Sequence, residues 1–169
     1  MCFIMDTNSL IDLRTLFPTD VFIGLWDDIR DIISQDELFS IQEVYSELKS
    51  EPNKGFWTDI HVNHGNTFFR ELVNDETDQF YQIEALPMYE KVVTKHGGDW
   101  SLKKEWSEGT AVADPFLICH SLTHGSTIVT QESQKDNKLN IFSVCKELNI
   151  ECLNLVQFFR KNSWNYPKL

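Results

Sequence analysis

The stretch Cys2-Phe3-Ile4-Met5-Asp6-Thr7-Asn8-Ser9 decides how the rest of the chain is read. Four apolar residues in a row, stopped by an acid and three small polar residues, describe a strand buried on both faces that runs into a turn. Asp6, Thr7, Asn8 and Ser9 are all residue types that cap helices, so a short helix over about 9–16 is expected to follow. A buried strand leading straight into a helix opens an α/β unit. The acid at its carboxyl end stands where such sheets collect their polar groups.

Working outward, the same alternation recurs. Phe22, Leu25, Trp26, Ile29, Ile32 and Ile33 follow helical spacing and predict a helix over about 20–34, with Thr19 or Asp20 as its cap. Leu38-Phe39-Ser40-Ile41 reads as a second strand. Ser40 and Glu43 form a capping-box pattern for a helix through Val44, Tyr45 and Leu48, stopping near Ser50 before Pro52. Asp114-Pro115 opens a helix that ends at Gly125, and Thr127-Ile128-Val129-Thr130 is a β-branched strand. A short helix over 141–149, a strand over Ile150–Leu153 and a helix over 154–161 close the pattern. Short apolar strands alternating with amphipathic helices predict a three-layer α/β/α domain around a mainly parallel sheet.

Residues of roughly 52–108 read as a helical, aromatic-rich insertion within a single domain spanning 1–169. Phe56, Trp57, Phe68, Phe69, Phe80, Tyr81, Tyr89, Trp100 and Trp106 fall there and are read as core rather than as a base-stacking platform. A helix over 76–96, interrupted at Pro87 and ended by Gly97-Gly98, is expected within it. Lys91, Lys95, Lys103 and Lys104 are read as solvated surface.

Composition narrows the function classes. The 169 residues suffice for one domain with a substantial core. No apolar run reaches the length of about 18 residues that a membrane span needs, and the start lacks the basic region of a signal peptide. A cytoplasmic, membrane-free protein is expected. Cys2, Cys119, Cys145 and Cys152 are scattered with no Cys-x-x-Cys pair, so a disulfide framework is not expected; Cys2, Cys119 and Cys145 are read as small core residues. The net charge of −11, from 26 acids against 15 Lys and Arg, runs against a nucleic-acid substrate, whose phosphates favour a basic surface.

The placement of particular acids, if they bind cations, softens that objection. Asp6 follows the first strand, Glu132 follows the Thr127–Thr130 strand by two residues, Asp114 opens the helix leading into that strand, and Glu47 lies two turns into the helix after the second strand. Singly, Asp114 is a helix cap, Glu47 a solvated helix residue and Glu132 a loop acid. Gathered in one crevice, the four carboxylates repel one another and need protons or cations to compensate them. Hard oxygen donors select Mg²⁺ or Mn²⁺, and such ions position a phosphate and activate water for phosphodiester hydrolysis. His120 and His124, spaced as zinc ligands on one helix can be, have no third ligand that fits and are read as polar helix surface.

Three segments resemble the PIN-like family, which includes the VapC-type toxins: Phe3-Ile4-Met5-Asp6-Thr7-Asn8-Ser9-Leu10, Val44-Tyr45-Ser46-Glu47-Leu48, and Ala113-Asp114 through Ile128-Val129-Thr130-Gln131-Glu132. Val144-Cys145-Lys146-Glu147-Leu148-Asn149-Ile150-Glu151-Cys152 also resembles a PIN-like branch of unassigned function. The resemblance covers roughly half the chain. It implies a metal-dependent ribonuclease with Asp6, Glu47, Asp114 and Glu132 as metal ligands, supported by Thr7, Asn8 and Thr130. By the toxin analogy it also implies a cognate antitoxin protein and a homodimer. Glu132 stands where the family often has Asp, and Pro115 where small residues are usual. The alternatives are a PIN-like domain that only binds, and a haloacid-dehalogenase-like phosphatase. The second needs an acid two residues after Asp6, where this chain has Asn8. A receiver-like domain would want a lysine after a late strand, which Thr130-Gln131-Glu132 does not supply.

Overall fold

The computed structural model describes residues 2–52, 54–64, 67–73, 79, 82–83, 113–132 and 140–164. In chain order the elements are β1 (Phe3–Met5), α1 (Thr7–Leu16), α2 (Ile23–Ser34), β2 (Leu38–Ile41), α3 (Gln42–Leu48), α4 (Lys54–His64) and β3 (Phe69–Arg70). They continue as α5 (Asp114–His124), β4 (Thr127–Val129), α6 (Ile141–Glu147), β5 (Cys152–Leu153) and α7 (Leu155–Lys161). The five strands form one sheet in the order β3-β2-β1-β4-β5, and every pairing is parallel. Helices flank it in a three-layer α/β/α arrangement, as the alternation predicts.

Burial explains the strands. Phe3, Ile4 and Met5 are at most 2% exposed, and Phe39 and Ile41 of β2 and Ile128 and Val129 of β4 are fully buried. Residues covered on both faces need no polar alternation, which is why these strands read as continuous apolar runs. β1 pairs with β2 through Phe3↔Leu38 and with β4 through Met5↔Val129. The chain therefore builds one half of the sheet outward from β1 through β2 to β3, then returns to β1's other side for β4 and β5. A crevice opens at such a reversal, outside the carboxyl ends of the strands.

Helix boundaries differ from the sequence expectation where a local bond competes. Pro18 carbonyl accepts the N–H groups of Val21 and Phe22, at 3.1 and 2.9 Å, so 18–22 is a turn and α2 starts at Ile23. Phe22, not Thr19 or Asp20, sits at the cap position, without a side-chain cap bond. The buried face of α2 is Leu25, Trp26, Ile29, Ile32 and Ile33, as the spacing predicts. Ser40 makes no capping box: it is buried in β2 and its hydroxyl donates to Met5 carbonyl at 2.7 Å, while Ile41 precedes α3 without a side-chain cap. α5 ends at Gly125, whose φ of 69° is the left-handed conformation glycine adopts without strain. The remaining ends shift inward: α6 stops at Glu147, β4 at Val129, and β5 is only Cys152–Leu153.

The segment beginning at 52 is not wholly an insertion. It supplies α4 and the edge strand β3, which pairs with β2 through Ser40↔Phe69. Trp57, Phe68 and Phe69 are at most 1% exposed, so these aromatics are core. Apart from residues 79, 82 and 83, the expected helix over 76–96 lies outside the described residues, as do Gly97, Gly98, Lys91, Lys95, Lys103 and Lys104. Cys119 and Cys145 are buried as expected, whereas Cys2 is half-buried. Among the described residues no helix is long and apolar enough to cross a membrane.

Candidate active site

The crevice beyond β1 and β4 has a volume of about 480 Å³ and is lined by Asp6, Glu47, Asp114 and Glu132, together with Thr7, Asn8, Ile11, Ser46, Ser50 and Glu51. All four acids singled out from the sequence thus share one wall of polar groups, although they come from four separate segments.

Asp6 ends β1 and caps α1, with the extended backbone that a cap requires. It is 1% exposed. One carboxylate oxygen accepts the Ser9 N–H at 2.6 Å, and the other accepts the Thr130 hydroxyl. Burial pushes its carboxyl up to about 6; the bonds from Thr130 and Ser9 pull against that rise, and the nearby charge of Glu132 adds to it.

Thr130 follows β4 and couples two acids. Its hydroxyl donates to Asp6 and accepts the N–H of Glu132 at 3.1 Å. Glu132 reaches across to the start of α6, where its Oε2 accepts the Ile141 N–H at 3.1 Å. That helix start is fixed by a capping box between Asn140 and Ser143. Glu47, in the last turn of α3, accepts the Thr7 hydroxyl on one oxygen and the Ala113 N–H at 2.9 Å on the other. It ties α3 to α1 and to the entry of α5.

Asp114 is not the cap of its helix. Ala113 holds that position, and Asp114 lies in the first turn of α5, followed by Pro115. A carboxylate there is favoured by the helix dipole. Asn8 is exposed on the crevice wall.

Sequence reasoning missed Ser9 as a supporting residue. It is fully buried; its N–H holds Asp6, and its hydroxyl donates to Val129 carbonyl at 2.9 Å, stitching the end of β4 to the start of α1. The signal was present in the Asp6-x-x-Ser9 spacing, a cap followed by a polar third residue. The Ala113 and Ile141 N–H groups carry no side-chain signal at all.

His120 and His124 contradict the surface reading in part. His120 is 7% exposed, its Nδ1 lies 3.2 Å from the Ser126 hydroxyl, and its ring packs on Phe39 and on His124, with centroids 4.9 and 4.5 Å apart. Among the described residues no three His, Cys, Asp or Glu side chains form a group arranged to hold one metal ion.

No curated protein matches the chain. A family model described as a domain of unknown function, DUF4411, matches residues 3–166, and the chain belongs to that family.

Proposed function

We propose that the chain is a divalent-metal-dependent endoribonuclease with a PIN-like active site. The observation that carries this reading is the convergence of Asp6, Glu47, Asp114 and Glu132 on one crevice at the carboxyl end of a parallel sheet. Among the described residues no Lys or Arg pairs with Asp6, Glu47 or Glu132, and the donors that reach them there are hydroxyls and backbone N–H groups.

The donor chemistry fits Mg²⁺ or Mn²⁺, which prefer hard oxygen. Mg²⁺ keeps most of its water and binds through one or two carboxylates, so it does not require a group of three ligands closed on one point. Asp6, Asp114 and Glu132 would hold such a hydrated ion, and Glu47 would hold it or orient the attacking water. When bound, the ion supplies neutralisation of the phosphate charge and a more acidic water. The chain's own residues do the positioning. Ser9 and Thr130 fix the Asp6 carboxylate, Thr7 fixes Glu47, and Asn8 lies on the open wall within reach of substrate. RNA as substrate, an antitoxin protein over the crevice, a homodimer and a cytoplasmic setting belong to the same reading.

One observation favours a second reading, a PIN-like domain that binds without cutting. Protein donors already occupy Asp6, Glu47 and Glu132. Incubation of the protein with single-stranded RNA separates the two. Cleavage with Mn²⁺ that stops in EDTA and disappears in Asp114→Asn supports the nuclease. RNA retained intact under every condition supports the binding domain.

A further inference from the structure

Arg14 and Phe56 take no part in the site described so far. Phe56 lies in the first turn of α4 and, unlike Trp57, Phe68 and Phe69, is only half-buried. Trp26 and Trp57 pack against its ring at steep angles, with centroids 5.3 and 4.9 Å away, and both are buried, so the ring is held in place. The guanidinium carbon of Arg14 lies 4.9 Å from the centre of that ring, a cation–π contact.

Arg14 differs from the other arginines and lysines that meet a partner. Arg30, Arg70 and Lys161 each pair with a carboxylate. Among the described residues no acid pairs with Arg14, and its buried Nε has no hydrogen-bond partner. The chain has 26 acids against 15 Lys and Arg, so a guanidinium that meets a ring instead of an acid is conspicuous. The dipole of α1 favours a cation in its last turn, but it gives no reason for the contact with Phe56.

The position of Arg14 relates it to the four acids. Thr7, Ile11 and Arg14 follow one another by a turn on one face of α1. Thr7 meets Glu47, Ile11 lines the crevice with Ser50 and Glu51, and Arg14 meets Phe56. These partners run in the same order from α3 into α4, whose first residue, Lys54, donates its N–H to Glu51 carbonyl at 3.1 Å. Arg14 therefore stands about 10 Å along the helix from Thr7, at the end of a line of contacts that starts in the crevice. Among the described residues the crevice lining itself holds no Lys or Arg.

We propose that Arg14, braced on Phe56, is a nucleotide subsite for the strand that leaves the crevice: its N–H groups hold a phosphate, and a neighbouring base stacks on its guanidinium. The subsite rests on the reading of the crevice as an RNA site. The forked donors of a guanidinium match phosphate, and its plane is a surface on which splayed bases stack. A base within a duplex is not free to stack there, so the substrate class is single-stranded RNA.

The test measures binding of a labelled single-stranded RNA octamer by fluorescence anisotropy, in Mn²⁺ and over a range of salt. The parent is Asp114→Asn, which removes cleavage on the nuclease reading. Adding Arg14→Gln should weaken binding about tenfold or more. It should also flatten the slope of log K against log salt by about 0.7, the share of one phosphate contact on a single strand. Arg14→Lys keeps the charge and should keep the slope, yet lose affinity several-fold, because an ammonium offers no plane. An Arg14 that only supports the fold would lower the unfolding midpoint and leave the slope alone. Equal slopes in the parent and Arg14→Gln therefore overturn the proposal, as does a duplex bound as tightly as the single strand. Should Arg14→Gln not fold, Arg14→Lys decides, and affinity equal to the parent's counts against the subsite. A parent that binds no RNA overturns it as well. The nuclease reading fails separately, when wild type leaves the RNA intact in Mn²⁺; the Arg14 slopes still decide the subsite.

Discussion

The two ends of the parallel sheet carry acids in opposite circumstances. At the amino end, Asp36 precedes β2 and pairs with Arg70, whose guanidinium passes 3.8 Å from the ring centre of Phe39. Glu151 precedes β5, pairs with Lys161 and accepts the Thr127 hydroxyl at 2.7 Å. Lys161 first and Thr127 second hold the Glu151 carboxyl below its ordinary value. At the carboxyl end, Asp6, Glu47 and Glu132 receive only hydroxyl and backbone N–H donors from the described residues. There burial pushes Asp6 up. The sheet is the same, and Asp6 and Glu151 shift in opposite directions. An acid with its own cation is electrostatically complete. A buried acid without one leaves a charge that folding has not compensated. On the proposed reading, the carboxyl end is where an outside cation would bind.

The comparison can be broken first through catalysis. Asp6→Asn keeps a residue that caps α1 well but removes the charge. RNA cleavage in Mn²⁺ should fall about a thousandfold, the size expected when metal-derived charge stabilisation of several kcal/mol is lost. Full activity in this variant would remove Asp6 from the machinery.

The second test is pH. Asp6's folded value of about 6 lies above the ordinary 3.8, so the sign is fixed. In EDTA its stabilising contribution is fully present below about pH 4 and is lost as pH rises through about 6. The difference is on the order of 3 kcal/mol. Urea unfolding across that window should show the decline in wild type and its absence in Asp6→Asn. Superimposable profiles would mean the Asp6 carboxyl is not perturbed.

A smaller effect is expected from Thr130→Val. It deletes the hydroxyl bond to Asp6 and strips the Glu132 N–H of its acceptor at a position 1% exposed. The cost should be about 1–2 kcal/mol in chemical denaturation. Cleavage should drop roughly 10- to 100-fold, as when a ligand loses its supporting bond.

The smallest belongs to the amino end. Glu151→Gln removes a half-exposed ion pair and should cost about 0.5 kcal/mol. The lowered Glu151 value means this contribution is present above the ordinary carboxylate range and lost as pH falls through the folded value. The response to Mn²⁺ should not change. A changed response would blur the contrast between the two ends.

The central strand and its acid were legible because Phe3, Ile4 and Met5 are buried on both faces and Asp6 ends them in sequence as in space. Asp6 and Glu132 were legible because they follow strand ends, which can be read from sequence, whereas Glu47 and Asp114 lie on helices that the topology brings to the same crevice. β3 was not, since a strand of Phe69–Arg70 is too short for any periodicity. The Ser40 capping box failed because Ser40 is inside β2, where Met5 carbonyl takes its hydroxyl. The partners of Glu47 and Glu132 are backbone N–H groups, which every residue but proline carries, so no residue type announced them.

The measurement closest to the central claim is thermal unfolding of wild type and Asp6→Asn at pH 7.5, each with millimolar Mn²⁺ and with EDTA. A ligand that binds only the folded state raises stability by mass action, about 2.7 kcal/mol at a hundred times its Kd. The account predicts that Mn²⁺ raises the wild-type midpoint by roughly 5–10 °C. In Asp6→Asn the midpoint should not respond, while the metal-free variant should unfold above metal-free wild type because the buried charge is gone. A wild-type midpoint identical in Mn²⁺ and EDTA would contradict the claim that the carboxyl end of this sheet is a cation site.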